Sequence, residues 1–93
     1  MLRHIVMWTL KSPEDAPKVK ALLDSCKGIV PGMQEFDVGI KTDGLEANCD
    51  VVLVSTFADA AALAAYVPHP HHQGVVAQIK AMAATRHVVD YNV

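Results

Sequence analysis

The 93-residue sequence lacks several features that would assign it to a function class at once. It has no run of the ~18 to 20 apolar residues that a membrane-spanning helix needs. With a net charge of -2 and a pI near 6.2, it also has no basic stripe that could hold nucleic-acid phosphates. The glycines are scattered rather than grouped in a phosphate-binding loop, and no G-x-S-x-G motif is present. We therefore expect neither nucleic acid nor membrane as a partner.

Cysteine is scarce too, because only Cys26 and Cys49 occur and they form no C-x-x-C pair. This usage predicts two buried thiols in a reducing compartment, and Cys26 falls on the apolar face of a predicted helix. The apolar stretch from Met1 to Trp8 is too short for a signal peptide and is typical of a strand. The expected location is the cytoplasm.

Apolar residues, by contrast, are abundant at 52%, whereas charged residues make up only 19%. A chain of this length suits a single domain spanning residues 1–93. The excess of apolar over charged residues predicts surface that is reserved for another chain or for a ligand.

Four segments show the two-residue alternation of strands, and two regions show helical spacing. The first helix is predicted after Ser12-Pro13, with Ser12 as a candidate N-cap. The second helical region is expected to be broken near Pro68 and Pro70, since proline removes a hydrogen-bond donor. The predicted strands cover residues 2–9, 34–41, 50–57 and 85–92, and the helical pieces of the second region cover about 60–67 and 70–83.

The order β-α-β-β-α-β is that of a ferredoxin-like α+β fold, which has a four-stranded antiparallel sheet and both helices on one face. The opposite face should be polar, yet here it is predicted to be apolar. Such a patch needs a cover, and the same face of a second chain would supply it with two-fold symmetry. We therefore expect a homodimer; the alternative is an unusually apolar monomer. The predicted patch contains Ile5, Met7, Val52, Val54, Val89 and Tyr91.

His4 interrupts an apolar strand, and Asp90 lies on the corresponding face of the last strand. The first and last strands are neighbours in the ferredoxin-like order, so the carboxylate can bond one imidazole nitrogen and fix its tautomer. One interpretation is a structural pair that locks the sheet. The other is an acid/base group that lines a pocket.

The segment around Tyr66, His69 and His72 spans the predicted helix break. A bend there can bring a phenol and imidazoles to one cavity mouth, where histidine can transfer protons and tyrosine can stabilise an oxyanion. The alternative is that these residues only cap and pack a kink. A metal site with His71 is a third possibility, but the spacing does not match a helical metal-binding pair and no carboxylate accompanies it.

Together these segments resemble the stress-responsive A/B barrel (Dabb) domain family along nearly the whole chain. The resemblance implies a ferredoxin-like subunit and a dimeric α+β barrel. It rests on Arg3-His4-Ile5-Val6, Ile29-Val30-Pro31-Gly32-Met33, Asp50-Val51-Val52-Leu53-Val54-Ser55-Thr56-Phe57, Tyr66-Val67-Pro68-His69-Pro70-His71-His72-Gln73 and Arg86-His87-Val88-Val89-Asp90-Tyr91.

Within this family the chain is similar to plant polyketide (olivetolic acid) cyclases, which close a poly-β-keto chain by aldol condensation without a cofactor. This resemblance implies that His72 is the base and that Tyr66 supplies the hydroxyl. The residues expected to line the pocket are His4, Val6, Trp8, Leu22, Leu23, Leu53, His69 and Asp90.

Two functions therefore stay open for this chain. The first is a cofactor-independent acid/base enzyme that acts on a carbonyl or polyketide-like compound, with no metal. The second is a noncatalytic dimer that binds a small molecule or serves in stress protection. A monooxygenase is a third possibility, because the same fold also hosts such enzymes.

Overall fold

The strands and helices follow the predicted order, and the second helical region is divided into two helices. The computed structural model describes residues 1–93. A 3₁₀ turn covers Pro13–Asp15, directly before the first helix. The elements are β1 (Leu2–Leu10), α1 (Ala16–Asp24), β2 (Met33–Ile40), β3 (Val51–Phe57), α2 (Ala60–Tyr66), α3 (Pro70–Met82) and β4 (Ala83–Asn92).

The four strands form one antiparallel sheet in the order β2-β3-β1-β4. Val6 in the middle of β1 faces Leu53 of β3 on one side and Val88 of β4 on the other. This is the ferredoxin-like arrangement that the sequence predicts. No helix combines the length and the hydropathy that a membrane crossing requires.

The start of the first helix differs from the prediction. The Ser12 side chain makes no capping hydrogen bond. Instead, the Asp15 N–H donates to the Ser12 carbonyl oxygen at 3.0 Å, which closes a 3₁₀ turn before α1 begins. The helical region thus begins with a hydrogen bond to the Ser12 carbonyl oxygen rather than to its hydroxyl.

The break between α2 and α3 is confirmed, and both helices have side-chain caps. Asp59 accepts a hydrogen bond from the Ala62 N–H at 2.9 Å. His69 Nδ1 accepts one from the His71 N–H at 3.1 Å, and Pro70 occupies the first turn of α3. The chain therefore stops one helix and starts the next within a few residues.

The core lies between the helices and the inner face of the sheet, with β3 at its centre. Val51, Leu53 and Phe57 are almost completely buried there. Cys26 belongs to this core as predicted, whereas Cys49 is only half-buried because it follows an exposed polar loop, so the prediction of two buried thiols is wrong for Cys49.

Asp50 fixes one end of the sheet. Its carboxylate accepts a hydrogen bond from the Leu10 N–H at 2.7 Å and pairs with the Lys41 ammonium at 3.0 Å. The Leu10 bond, followed by the Lys41 contact, lowers the pKa of Asp50 below its usual value. The carboxylate therefore stays ionised and holds β1 to the start of β3.

The outer face of the sheet carries the predicted apolar patch. Ile5 lies between Val54 and Val89 in the strand register, and Met7 lies beside Val52. Met7, Val89 and Tyr91 are exposed, whereas the other members of the patch are half-buried. The side chains of this patch have no helix over them.

Candidate functional site

A cavity of about 750 Å³ lies between the inner face of the sheet and α3. It exists because α1 and α2 pack on β2 and β3, whereas no helix packs extensively on β4. Its size falls within the range of ligand sites in proteins. The first strand forms much of the wall opposite α3.

Most residues that were predicted to line a pocket lie on this wall. Both members of the proposed catalytic pair do so as well, because α2 ends beside the first turns of α3. The predicted residues that line the cavity are His4, Val6, Trp8, Leu23, Leu53, Tyr66 and His72.

Leu22, His69 and Asp90 do not line the cavity. Leu22 is half-buried and packs at the side of the core, next to the inward-facing Leu23. His69 is used as the cap of α3. Asp90 lies on the exposed edge strand β4 and contacts the His4 imidazole, so it can influence the cavity only through His4.

His4 and Asp90 form the pair that the strand order predicts. They are register partners on β1 and β4, and His4 Nδ1 lies 2.5 Å from an Asp90 carboxylate oxygen. Because a carboxylate accepts, Nδ1 carries the proton and donates, which leaves Nε2 as the acceptor of a neutral His4. His4 is buried, and its backbone carbonyl accepts a further bond from the Ser55 hydroxyl at 2.8 Å.

His72 is oriented by the backbone of the helix break. Its Nδ1 lies 2.9 Å from the Val67 carbonyl oxygen, so Nδ1 donates and Nε2 is left to accept a proton. Burial is the largest effect on the His72 pKa and lowers it; the Val67 bond opposes this effect, and the nearby positive charge of Arg86 lowers the pKa further. At neutral pH the imidazole is therefore unprotonated and able to act as a base.

Tyr66 contacts His72 through its ring, with the two ring centroids 4.1 Å apart. Its hydroxyl is buried beside the Cys26 thiol and has no hydrogen-bond partner. Burial, with a smaller effect of Cys26, raises the pKa of Tyr66, so the hydroxyl remains protonated. Tyr66 thus supports His72 through its ring, while its hydroxyl lies in the core beside Cys26.

The remaining histidines of this segment have separate roles. His71 Nε2 lies 2.8 Å from the Ser25 hydroxyl oxygen. Because Ser25 donates its own proton to the Leu22 carbonyl, His71 donates to Ser25 and ties α3 to the end of α1. No three histidine, cysteine or acidic side chains converge in a way that could hold a metal ion.

Sequence reasoning missed two cations on the cavity wall, Lys80 and Arg86. The spacing of these residues in the sequence could have indicated both positions. Arg86 precedes Asp90 by four positions in a strand, so the two share a face. Lys80 follows His72 by eight positions in a helix, or roughly two turns, and so returns to the same side.

Comparison with known proteins agrees with this architecture. The family model described as the stress responsive A/B barrel domain matches residues 2–93. No match to the chain was found among curated proteins.

Solved structures resemble the chain over nearly its full length. A dimeric ferredoxin-like protein of unknown function from Jannaschia sp. CCS1 is 31% identical, with a TM-score of 0.82 and coverage of 99% of this chain and 98% of that one. A second such protein, from Thermobifida fusca YX, is 23% identical with a TM-score of 0.87 and coverage of 99% and 90%.

A more distant structure is SnoaB from Streptomyces nogalater, described as a cofactor-independent oxygenase. It is 14% identical, with a TM-score of 0.80 and coverage of 99% of this chain and 91% of that one, and it supports the fold alone. Since the family model spans residues 2–93, the chain belongs to the stress responsive A/B barrel domain family.

Proposed function

We propose that the cavity between the sheet and α3 binds a small carbonyl compound, and that His72 acts there as a general base without a cofactor. The observation that carries this proposal is the state of His72. Its Nδ1 is committed to the Val67 carbonyl and its pKa is lowered, so a neutral Nε2 stands on the wall of a ligand-sized cavity.

The reaction that fits is an aldol-type ring closure. Nε2 of His72 accepts a proton from the carbon next to a carbonyl group, and the electron pair moves to the carbonyl oxygen as an enolate. The enolate carbon then attacks a second carbonyl of the same molecule, and the resulting alkoxide takes the proton back from His72. No electrons are gained or lost, so no redox partner is needed.

Tyr66 has one task that its position supports in this proposal. Its ring holds the imidazole of His72 at 4.1 Å between centroids. Its hydroxyl is buried beside Cys26, so donation to an enolate oxygen requires the ring to shift toward the cavity. His4 lines the same cavity with its free Nε2, and Asp90 acts through His4 as a positioning residue.

The test is proton exchange, which is the first step of the reaction. The protein is incubated in deuterium oxide with a panel of linear 1,3-diketones and β-keto esters, and loss of the α-proton signals is followed by NMR. We expect faster exchange with the parent protein and with His71→Ala, and background exchange with His72→Ala. Equal exchange in the parent and His72→Ala would remove His72 as the base.

A noncatalytic dimer is the second candidate, and specific contacts favour it. His69 caps a helix, His71 bonds Ser25, and the His4–Asp90 pair joins two strands, so each of these residues has a structural task. A compound that binds in the cavity but shows no exchange in any variant would support this function. Oxygen uptake, measured in the same samples, would instead indicate the oxygenase chemistry named for SnoaB.

We further propose that two chains pair through the outer face of the sheet. Exposed Met7, Val89 and Tyr91 make a contiguous apolar surface with the half-buried residues between them. Two of the similar structures are described as dimeric ferredoxin-like proteins. Two such faces packed together would remove this surface from water and complete an α+β barrel.

A further inference from the structure

The two cations of the cavity wall have no partner in the protein. Lys80 lies in the last turn of α3 and Arg86 lies on β4, so they approach the cavity from opposite sides. Neither forms an ion pair or a side-chain hydrogen bond, whereas Lys20 and Lys41 are both paired with aspartates. Their charges are therefore available to a ligand.

The charge of the wall is opposite to that of the whole chain. The sequence has ten acidic residues against eight lysines and arginines, and its net charge is -2. Yet no aspartate or glutamate lines the cavity. Asp90, which lies on the same strand as Arg86, is bonded to His4 and lies outside the wall. The cavity is thus a positive site on an acidic protein.

The rest of the wall is mainly apolar. Val6, Trp8 and Leu53 come from the sheet, and Val76 and Ile79 come from α3. A ligand that matches this wall needs an apolar body beside a single negative group. Cations that hold the negative group, together with apolar residues that contact the body, would fix the orientation of such a ligand.

We propose that the ligand of this cavity is an amphipathic organic carboxylate, bound with its carboxylate between Lys80 and Arg86 and its apolar body on the sheet. A carboxylate fits better than a phosphate. Lys80 stands at the C-terminal end of α3, where the helix dipole is negative and a doubly charged group is disfavoured. No glycine-rich loop is available to bind phosphate oxygens either.

This inference rests on the proposed ligand site and adds the class of its substrate. Arg86 is close enough to His72 for its positive charge to lower the pKa of that imidazole. A carboxylate seated at Arg86 would offset this effect, so the same anion that is recognised would also make His72 a stronger base. Binding of the carboxylate and proton transfer by His72 would then be linked through Arg86.

Calorimetric titration at low ionic strength can test the inference with paired probes of equal shape. Octanoate is compared with octanamide, and benzoate with benzamide. We expect the acids to bind about tenfold more tightly than the amides, in line with charge-assisted hydrogen bonds. Added salt should weaken the binding of the acids and leave that of the amides unchanged.

Three variants distinguish the effect of the two cavity cations on binding from the effect of the protein's net charge. Lys80→Gln and Arg86→Gln should each weaken binding of the acids by about three- to tenfold without affecting the amides. Lys18→Gln, which removes an exposed lysine of α1 outside the cavity, is the matched control and should leave both unchanged. Equal weakening in Lys18→Gln and Arg86→Gln would overturn the inference.

Failure of the inference can be distinguished from failure of the proposed function. If the amides bind as tightly as the acids, the anion site is wrong, while the cavity remains a ligand site. If the acids bind through Lys80 and Arg86 but His72→Ala exchanges protons as fast as the parent, the inference stands and the role of His72 is wrong. If none of the four probes binds, the inference is overturned.

Discussion

The strands β3 and β4 are both antiparallel neighbours of β1, and both contain valine pairs, yet their surroundings differ completely. In β3, Val51 is 0% exposed. In β4, Val88 is 48% exposed although its side chain lies on the face that bears the helices. The difference comes from the helices, which cover β2 and β3 and leave β4 without an extensive contact.

The two halves of the sheet therefore serve different purposes. The covered half contains the best-packed core residues and supplies stability. The uncovered half leaves a cavity on one face and an apolar surface on the other, which are the two surfaces at which we propose that a ligand and a second chain bind. A small domain thus places its binding surfaces where it gives up internal packing.

The largest effect is expected when a charge is placed on the outer face of β4. Val89→Lys would bury an ammonium in the proposed dimer interface, so we expect a monomer of 10.0 kDa by size-exclusion chromatography with light scattering at micromolar concentration. Val88→Lys is the control, since Val88 and Val89 are 48% and 50% exposed but point to opposite faces. The same mass for both variants would refute the proposed interface.

The next largest effect is the difference in unfolding free energy between alanine variants of β3 and β4. Val51→Ala should lower the free energy of unfolding by about 2 kcal/mol, because it removes buried methyl groups and leaves a cavity. Val88→Ala should lower it by less than about 0.5 kcal/mol, because that side chain is already half in water. Chemical denaturation of both variants measures the difference, and similar losses would mean that β4 is covered in solution.

Tyr66 lies where the two halves meet, and its buried hydroxyl has no partner. Removing an unsatisfied hydroxyl should stabilise the fold, so we expect Tyr66→Phe to raise the free energy of unfolding by roughly 1 kcal/mol. A loss of stability in Tyr66→Phe would show that the hydroxyl bonds a group such as the Cys26 thiol.

The smallest effect is the pH dependence caused by His72. Its pKa in the folded protein lies below the ordinary value of 6.5, so the unfolded chain binds more protons between those two values. Stability should therefore fall as the pH is lowered through 6.5 and level off below the folded pKa. Unfolding curves from pH 5 to 8 test this, and His72→Gln should remove the slope while His71→Gln keeps it.

Local features explain how much could be predicted from the sequence. The alternation in β1 and β4, together with the strand order, predicts that His4 and Asp90 face each other, and the register confirms it. The prolines likewise predict the break between α2 and α3. These predictions succeed because they depend on neighbours in sequence or on one pairing.

The exposure of β4 could not be predicted in the same way. Val88 has the pattern of a core residue, and only the placement of the helices decides whether it is covered. The unpaired state of Lys80 and Arg86 is also a tertiary property, since it depends on which acidic side chains the fold brings to the cavity, and none lines it. Likewise, no spacing rule carries across the break to give the contact between Tyr66 and His72.

The bond from His72 Nδ1 to the Val67 carbonyl has one further consequence. The acceptor is a main-chain oxygen, so almost any residue at position 67 would still present it. Substitution of Val67 would therefore leave the tautomer of the proposed base, His72, unchanged. Exposed apolar residues of the cavity wall can change independently of it. Substitutions at the exposed wall residues Val76 and Ala77 would therefore alter the ligand surface and leave the same proton acceptor in place.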